Sequence, residues 1–142
     1  MERGRFANPR RVRAASGSLE ATPIVDADHP EVRRFATSRS AGARSDRERA
    51  VRLYYAVRDE IRYDPYGAAI EVETLRASAT LESGRGWCVA KSVLLAAACR
   101  ALGIPARLGF ADVRNHLSTA RMRERMQTEI FYWHGYTSIA VG

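Results

Sequence analysis

A cysteine at the start of an apolar helix is the residue best suited to do chemistry in this chain. Residues 84–92 read GRGWCVAKS, and residues 88–102 form one predicted helix that ends at Gly103. Glycine takes the left-handed position after a helix end, and the proline two residues later cannot continue the helix. Cys88 therefore lies at a helix N-terminus, where unpaired N–H groups and the helix dipole stabilise a thiolate. Lys91, one turn further on, is expected to reinforce this effect.

Cys99, the other cysteine, is expected to have a structural role in the core instead of a chemical one. Free cysteine usually packs as a small buried hydrophobe, and Cys99 ends the apolar run LLAAAC with no polar loop before it. On one helix, eleven residues separate the two sulfur atoms by about 16 Å, which is too far for a disulfide. The context therefore favours Cys88 as the reactive cysteine and Cys99 as a core residue.

A cysteine nucleophile needs a histidine within hydrogen-bonding reach, oriented in turn by a third group. His134 lies in FYWHGY, whose aromatic residues are typical of a strand, and His116 follows a predicted strand in the loop VRNH. A helix packed on a sheet brings the helix N-terminus against the neighbouring strands, so we favour His134 over His116 as the partner of Cys88. A purely structural role for His134 stays open at this point.

The elements that must position these residues follow from capping and periodicity. Ser45 and Glu48 form a capping box in front of a helix at 46–62. Further helices are predicted at 30–38 and 119–126, and a strand at 106–111. Residues 128–133 and 136–141 are predicted to form two strands or one long strand bent around His134. Residues 70–75 are predicted to be a short strand or irregular. Helices followed by strands indicate an α+β fold, with the cysteine helix packed on a small antiparallel sheet.

Composition bounds the partners and the location. With 142 residues the chain is expected to be one domain at 19–142, preceded by a disordered arginine-rich tail at 1–18. Residues 1–17 hold five arginines against one glutamate, so the net charge of +7 is concentrated there and does not predict nucleic-acid binding.

The longest apolar run, residues 93–99, is far too short for a membrane span. Unpaired cysteines favour the cytoplasm, and the scattered histidines and cysteines predict neither a metal site nor a cofactor.

Four segments together resemble the transglutaminase-like superfamily, in particular its small bacterial members. They are VRDEIRYDP, GWC, LGIPAR and HGY, beginning at residues 57, 86, 102 and 134, and the resemblance covers about residues 20–142. It implies a papain-like α+β core with Cys88 as nucleophile and His134 as base. The implied activity is hydrolysis of, or acyl transfer from, amide bonds in peptides or proteins. Trp87 is the candidate substrate-binding residue.

One departure from the family pattern leaves two functions open. The family supplies its third catalytic residue, an Asp or Asn, from the strand after the histidine, whereas no acidic or amide residue follows His134 before Gly142. The resemblance thus implies a chain truncated before that residue, with an exposed strand edge able to pair with another chain. An enzyme with a Cys–His pair and an inactive interaction module or fragment both fit. Asp112 could take the place of the missing residue and orient the His134 imidazole. A role in a turn or at the surface is nevertheless favoured for Asp112.

Overall fold

Residues 18–114, 116 and 118–142 are described by a computed structural model of the chain. They form six helices and four strands: α1 Pro30–Arg39, α2 Asp46–Glu60, β1 Arg62–Tyr63, α3 Val72–Leu75, α4 Ala77–Ser83, β2 Arg85–Gly86, α5 Cys88–Ala101, β3 Ala106–Arg114, α6 Ala120–Met126 and β4 Ile130–Ile139. The predicted arginine-rich tail lies outside the described residues except for Ser18, which is buried. Within the described residues, no helix has both the length and the apolar character needed to cross a bilayer.

Helix α5 is the centre of the fold. Its side chains are buried without interruption from Ser92 to Cys99, as expected for a helix that is apolar all round. Helices α1, α2 and α4 and strands β3 and β4 pack around it. Their core residues include Val32, Phe35, Leu53 and Val57.

Local capping explains where the outer helices begin. The Ser45 hydroxyl accepts the N–H of Glu48 at 3.1 Å, and the Glu48 carboxylate reaches back to the N–H of Arg44 at 2.8 Å. His29 is the N-cap of α1, where its side chain accepts the N–H of Glu31. Thr119 caps α6 in the same manner. The Ser45 and Thr119 caps each stabilise their helix by about 1 kcal/mol.

The end of α2 differs from the sequence prediction, which extended the helix to residue 62. The helix ends at Glu60, and Ile61 is extended and buried. Arg62 and Tyr63 then pair in parallel with β2, in the loop before the cysteine. Burial of Ile61 and this pairing outweigh the local preference for helix. Because β1 follows α2 and β2 precedes α5, the pairing also holds the end of α2 next to the start of α5.

The segment after β1 corrects a second prediction. Residues 70–75 were expected to be a short strand or irregular, but α3 and α4 are both helical and Ile70 is exposed. Helix α4 packs on α5 and buries Ala77 and Thr80. Its contact with α5 provides the stabilisation that so short a helix lacks by itself.

Strands β3 and β4 form an antiparallel pair, as predicted. The pairing runs from Ala106 opposite Ile139 to Arg114 opposite Ile130, with a register shift between Ala111 and Val113. The strand β3 is three residues longer than expected, and β4 is one long strand through His134. Helix α6 lies in the connection between them. The α+β fold class is therefore confirmed, with the parallel pair β1–β2 as an addition.

Candidate active site

The loop before Cys88 is shaped by two glycines. Gly84 ends α4 in the left-handed conformation (φ +65°), a position that glycine occupies without strain. Gly86 lies so close to α5 that an added Cβ would be 3.0 Å from the Ala90 Cβ atom and 3.3 Å from the Thr80 methyl carbon. The two glycines therefore allow the chain to turn and enter α5 directly at Cys88.

Cys88 is the first residue of α5 and is half-buried. Trp87 is the N-cap residue, and its side chain caps no backbone amide. An α-helix leaves its first N–H groups without intrahelical partners, so the amides at the start of α5 stay available to a ligand beside the thiol. This matches the sequence prediction for the position of Cys88.

Strand β4 lies directly on the first turn of α5. Gly135 is buried there, and an added Cβ would meet the Cα and Cγ2 atoms of Val89, each at 3.1 Å. Further along the same strand, the Thr137 hydroxyl donates to the carbonyl of Ser92 at 2.9 Å. Because Gly135 permits this close approach, the preceding residue, His134, lies at the same end of α5 as Cys88.

Cys88 and His134 line one cavity of about 410 Å³, and Trp87 lines it with them. The structure thus brings together the three site residues that the sequence analysis selected. A thiol and an imidazole that line one cavity, with a helix N-terminus beside the thiol, can support attack on a carbonyl group and stabilisation of the resulting oxyanion.

The family model described as the transglutaminase-like superfamily matches residues 33–141 of this chain. The chain belongs to that superfamily. The matched segment contains both Cys88 and His134, and the membership confirms the resemblance drawn from the four sequence segments.

A solved structure of another protein has a similar fold. A putative cysteine protease from Cytophaga hutchinsonii superimposes with a TM-score of 0.67 at 18% sequence identity. The alignment covers 88% of this chain and 37% of that protein, so the chain spans little more than a third of its neighbour's length. At this identity the likeness concerns the fold, which is α+β and papain-like. No curated protein matches the chain.

Within this transglutaminase-like site, the backbone before His134 is unusual. Trp133 has φ +57°, a left-handed conformation that is rare for a bulky residue. Its N–H donates to the Asp112 carboxylate at 3.2 Å, and the β3 register shift lies at Asp112. The ring of Trp133 makes an edge contact with Phe110, their centroids 6.5 Å apart.

Asp112 consequently supports the backbone next to His134. It is exposed, and it accepts a main-chain N–H of β4, which is a cross-strand contact rather than the turn or surface-arginine contact that the sequence analysis favoured. Among the described residues, the His134 imidazole has no hydrogen-bond partner.

Lys91 has a different position from the one that the sequence suggested. Its ammonium donates to the carbonyl oxygens of Arg58 at 3.1 Å and Ile61 at 2.5 Å. Burial lowers the pKa of Lys91, and the nearby Asp59 carboxylate partly opposes this. Lys91 therefore binds the last carbonyls of α2, a role that cations at helix C-termini often have.

The remaining cysteine and histidines lie away from the cavity. Cys99 is fully buried, and burial raises the pKa of its thiol to about 12. His116 is an exposed turn residue and His29 is a helix cap. No group of three or more His, Cys, Asp or Glu side chains suited to a metal ion occurs in the described part of the chain.

Tyr63 is a cavity residue that the sequence analysis missed. It lines the cavity with Cys88, and its pKa is raised mainly by burial and further by the adjacent Cys88. The pairing of β1 with β2 places it there. A two-residue strand has no periodicity, so no local pattern could have indicated this position.

Proposed function

We propose that this chain is a cysteine-dependent hydrolase or acyltransferase that acts on amide bonds of peptides or proteins. Cys88 is the nucleophile and His134 the general base in this proposal. The observation that supports it most strongly is the shared cavity: a half-buried thiol at an uncapped helix N-terminus faces the same space as the strand histidine. Membership of the transglutaminase-like superfamily supports the same chemistry.

The proposed reaction proceeds through a thioester. His134 takes the proton of the Cys88 thiol, and the sulfur forms a bond to the amide carbonyl carbon. Amides at the start of α5 stabilise the oxyanion. The C–N bond then breaks, and the amine leaves with the proton from His134. Water completes hydrolysis by attack on the thioester, whereas a second amine completes acyl transfer; either regenerates the thiol.

Trp87 is proposed to contact the substrate. It lines the cavity beside Cys88 and is only half-buried, so an indole face is available to an apolar side chain. Two free cysteines support a reducing compartment, and we propose the cytoplasm. The predicted association through the edge of β4 stays a prediction; among the described strands, β4 pairs with β3 alone.

The second candidate is a non-catalytic interaction module that keeps the transglutaminase-like fold. The observation that favours it is the His134 imidazole, which has no orienting partner among the described residues. Orientation by a third group fixes the tautomer of a catalytic histidine, and its loss reduces kcat by up to about 10⁴-fold.

Alkylation of Cys88 tests the nucleophile. Iodoacetamide should modify Cys88 faster than it modifies a free model thiol at pH 6.5, as measured by peptide mass spectrometry. Cys99 provides the internal control because it is fully buried and should remain unmodified. A Cys88 rate no greater than that of the model thiol would overturn the proposal.

Turnover separates the two candidates. An activated p-nitrophenyl ester should acylate Cys88 and then release the acyl group to water or to an added amine. Replacement of the base in His134→Ala should slow this cycle by about 10³-fold or more, and Cys99→Ala should leave it nearly unchanged. A stable acyl-Cys88 that neither water nor amine removes would favour the interaction module.

A further inference from the structure

Helix α6 forms part of the wall of the cavity that Cys88 and His134 line. Met122 and Met126, one turn apart on this helix, both line the cavity, and so does Arg125 between them. Helix α6 is exposed on its other sides and has no buried residue. Its placement therefore depends on few contacts, of which the clearest involves an aromatic ring.

That ring belongs to Tyr66, in the segment after β1. The guanidinium carbon of Arg121 lies 4.8 Å from the ring centroid, and that of Arg125 lies 5.7 Å from it. Cation–π contacts of this kind contribute about 0.5–1 kcal/mol at exposed sites. Both arginines thus hold α6 against Tyr66, but only Arg125 also lines the cavity.

The charge of Arg125 is not balanced within the cavity. None of the described residues that line it is a carboxylate, and Arg125 forms no ion pair in the described part of the chain. Two carboxylates in the flanking segments have other contacts: Asp64 accepts the N–H groups of Tyr66 and Gly67, and Glu129 lies 3.9 Å from Arg114. The cavity therefore combines apolar and aromatic walls with one cationic side chain.

We propose that Arg125 recognises a carboxylate of the substrate, so that the preferred substrates are amides with an acidic group near the bond attacked. This inference rests on the proposed function, because it assigns a substrate class to the same cavity. A guanidinium binds carboxylates with two parallel hydrogen bonds, and Arg125 is exposed at the cavity, so an incoming carboxylate can reach it. An acidic side chain or a free C-terminal carboxylate would both meet this requirement.

Charged thiol reagents test the inference without knowledge of the natural substrate. The rate of Cys88 modification is measured with an anionic and with a cationic methanethiosulfonate of similar size. Arg125→Glu should lower the ratio of anionic to cationic rates about tenfold, the order expected for reversal of one charge across a narrow cleft. Arg125→Met, which keeps length and apolar packing, should lower it by about threefold.

The matched control is Arg33→Glu, which makes the same change in net charge on the exposed face of α1, in an element that does not line the cavity. Its ratio should stay within twofold of the parent at 0.15 M salt, because distant surface charges are screened. Equal ratios for Arg125→Glu and Arg33→Glu would overturn the role of Arg125. That result is distinct from an unreactive Cys88, which would overturn the proposed function itself.

Protection experiments then distinguish the two sources of the carboxylate. One peptide carries glutamate and an amidated C-terminus, and the other carries only neutral side chains and a free C-terminus. The peptide that presents the recognised carboxylate should slow modification of Cys88 by neutral iodoacetamide, and Arg125→Glu should abolish that protection. Protection by neither peptide at 10 mM, or protection that persists in Arg125→Glu, would contradict the proposal.

Discussion

The first turn of α5 and the body of the same helix place two cysteines in opposite surroundings. Cys88 is half-buried, follows an uncapped N-terminus and lines a cavity with His134. Cys99 is fully buried among apolar side chains, and burial raises the pKa of its thiol to about 12. The residue type and the helix are shared, so the difference comes from what surrounds each sulfur atom.

Around the first turn of α5, neighbouring backbone segments pack very close to the helix, whereas the body of the helix has no such contacts with glycine backbone in the described residues. A Cβ atom added to Gly86 or to Gly135 would lie about 3 Å from the nearest atom of α5. At both positions the glycine backbone therefore packs directly on the helix. The body of α5 instead packs through side chains, which adapt to small changes in volume. We therefore expect changes at the first turn to alter activity and changes at the body to alter stability.

Within this comparison of the two parts of α5, the largest effect is expected from Gly135→Ala. Its added methyl group would meet the backbone of Val89 at 3.1 Å, and β4 would have to move by a few tenths of an ångström. Such a displacement of His134 from Cys88 should lower kcat/KM about tenfold, because catalysis depends steeply on the geometry of reacting groups. Ester turnover by the purified variant provides the measurement.

The control for this variant is Thr137→Val, two residues further along the same strand. It removes the hydrogen bond to the Ser92 carbonyl and should cost about 1 kcal/mol of unfolding free energy, with kcat/KM changed less than twofold. A loss of activity in Thr137→Val equal to that in Gly135→Ala would contradict the distinction between the two parts of α5.

An intermediate effect is expected from Asp112→Ala. The substitution removes the carboxylate that accepts the Trp133 N–H, and the left-handed backbone before His134 loses its support. We expect kcat to fall about threefold, because the hydrogen bond is exposed to water. The pH dependence of kcat should keep its shape, since the carboxylate binds the backbone and not the imidazole. A shifted acid limb would instead identify Asp112 as the orienter of His134.

The smallest effect concerns Cys99 and appears only at alkaline pH. Because burial raises the pKa of this thiol from 9.0 to about 12, the unfolded chain releases the thiol proton before the folded chain does. The stabilisation is complete below pH 9 and is lost as the pH rises toward 12. Between pH 8 and pH 10 the parent should lose about 1 kcal/mol more unfolding free energy than Cys99→Ala. Identical pH slopes in urea titrations would show that Cys99 is not buried in this manner.

The sequence by itself determined the helix that begins at Cys88. Cys88 at the start of α5, Gly103 after its end, and the capping box of α2 are local features, and the structure has each of them at the predicted place. Capping acts within four residues and apolar periodicity within a few turns. For that reason the α+β class and the selection of Cys88 over Cys99 followed from the chain alone.

Tertiary structure decided how the cavity around Cys88 is assembled. The pairing of β1 with β2, the helical form of α3 and α4, the left-handed Trp133 and the position of Arg125 all depend on contacts between segments far apart in the sequence. Likewise, His134 and not His116 lines the cavity with Cys88, at the point where Gly135 packs on Val89. Residues distant in sequence meet because burial and strand pairing of the whole chain outweigh local preference, and no short window of sequence contains that information.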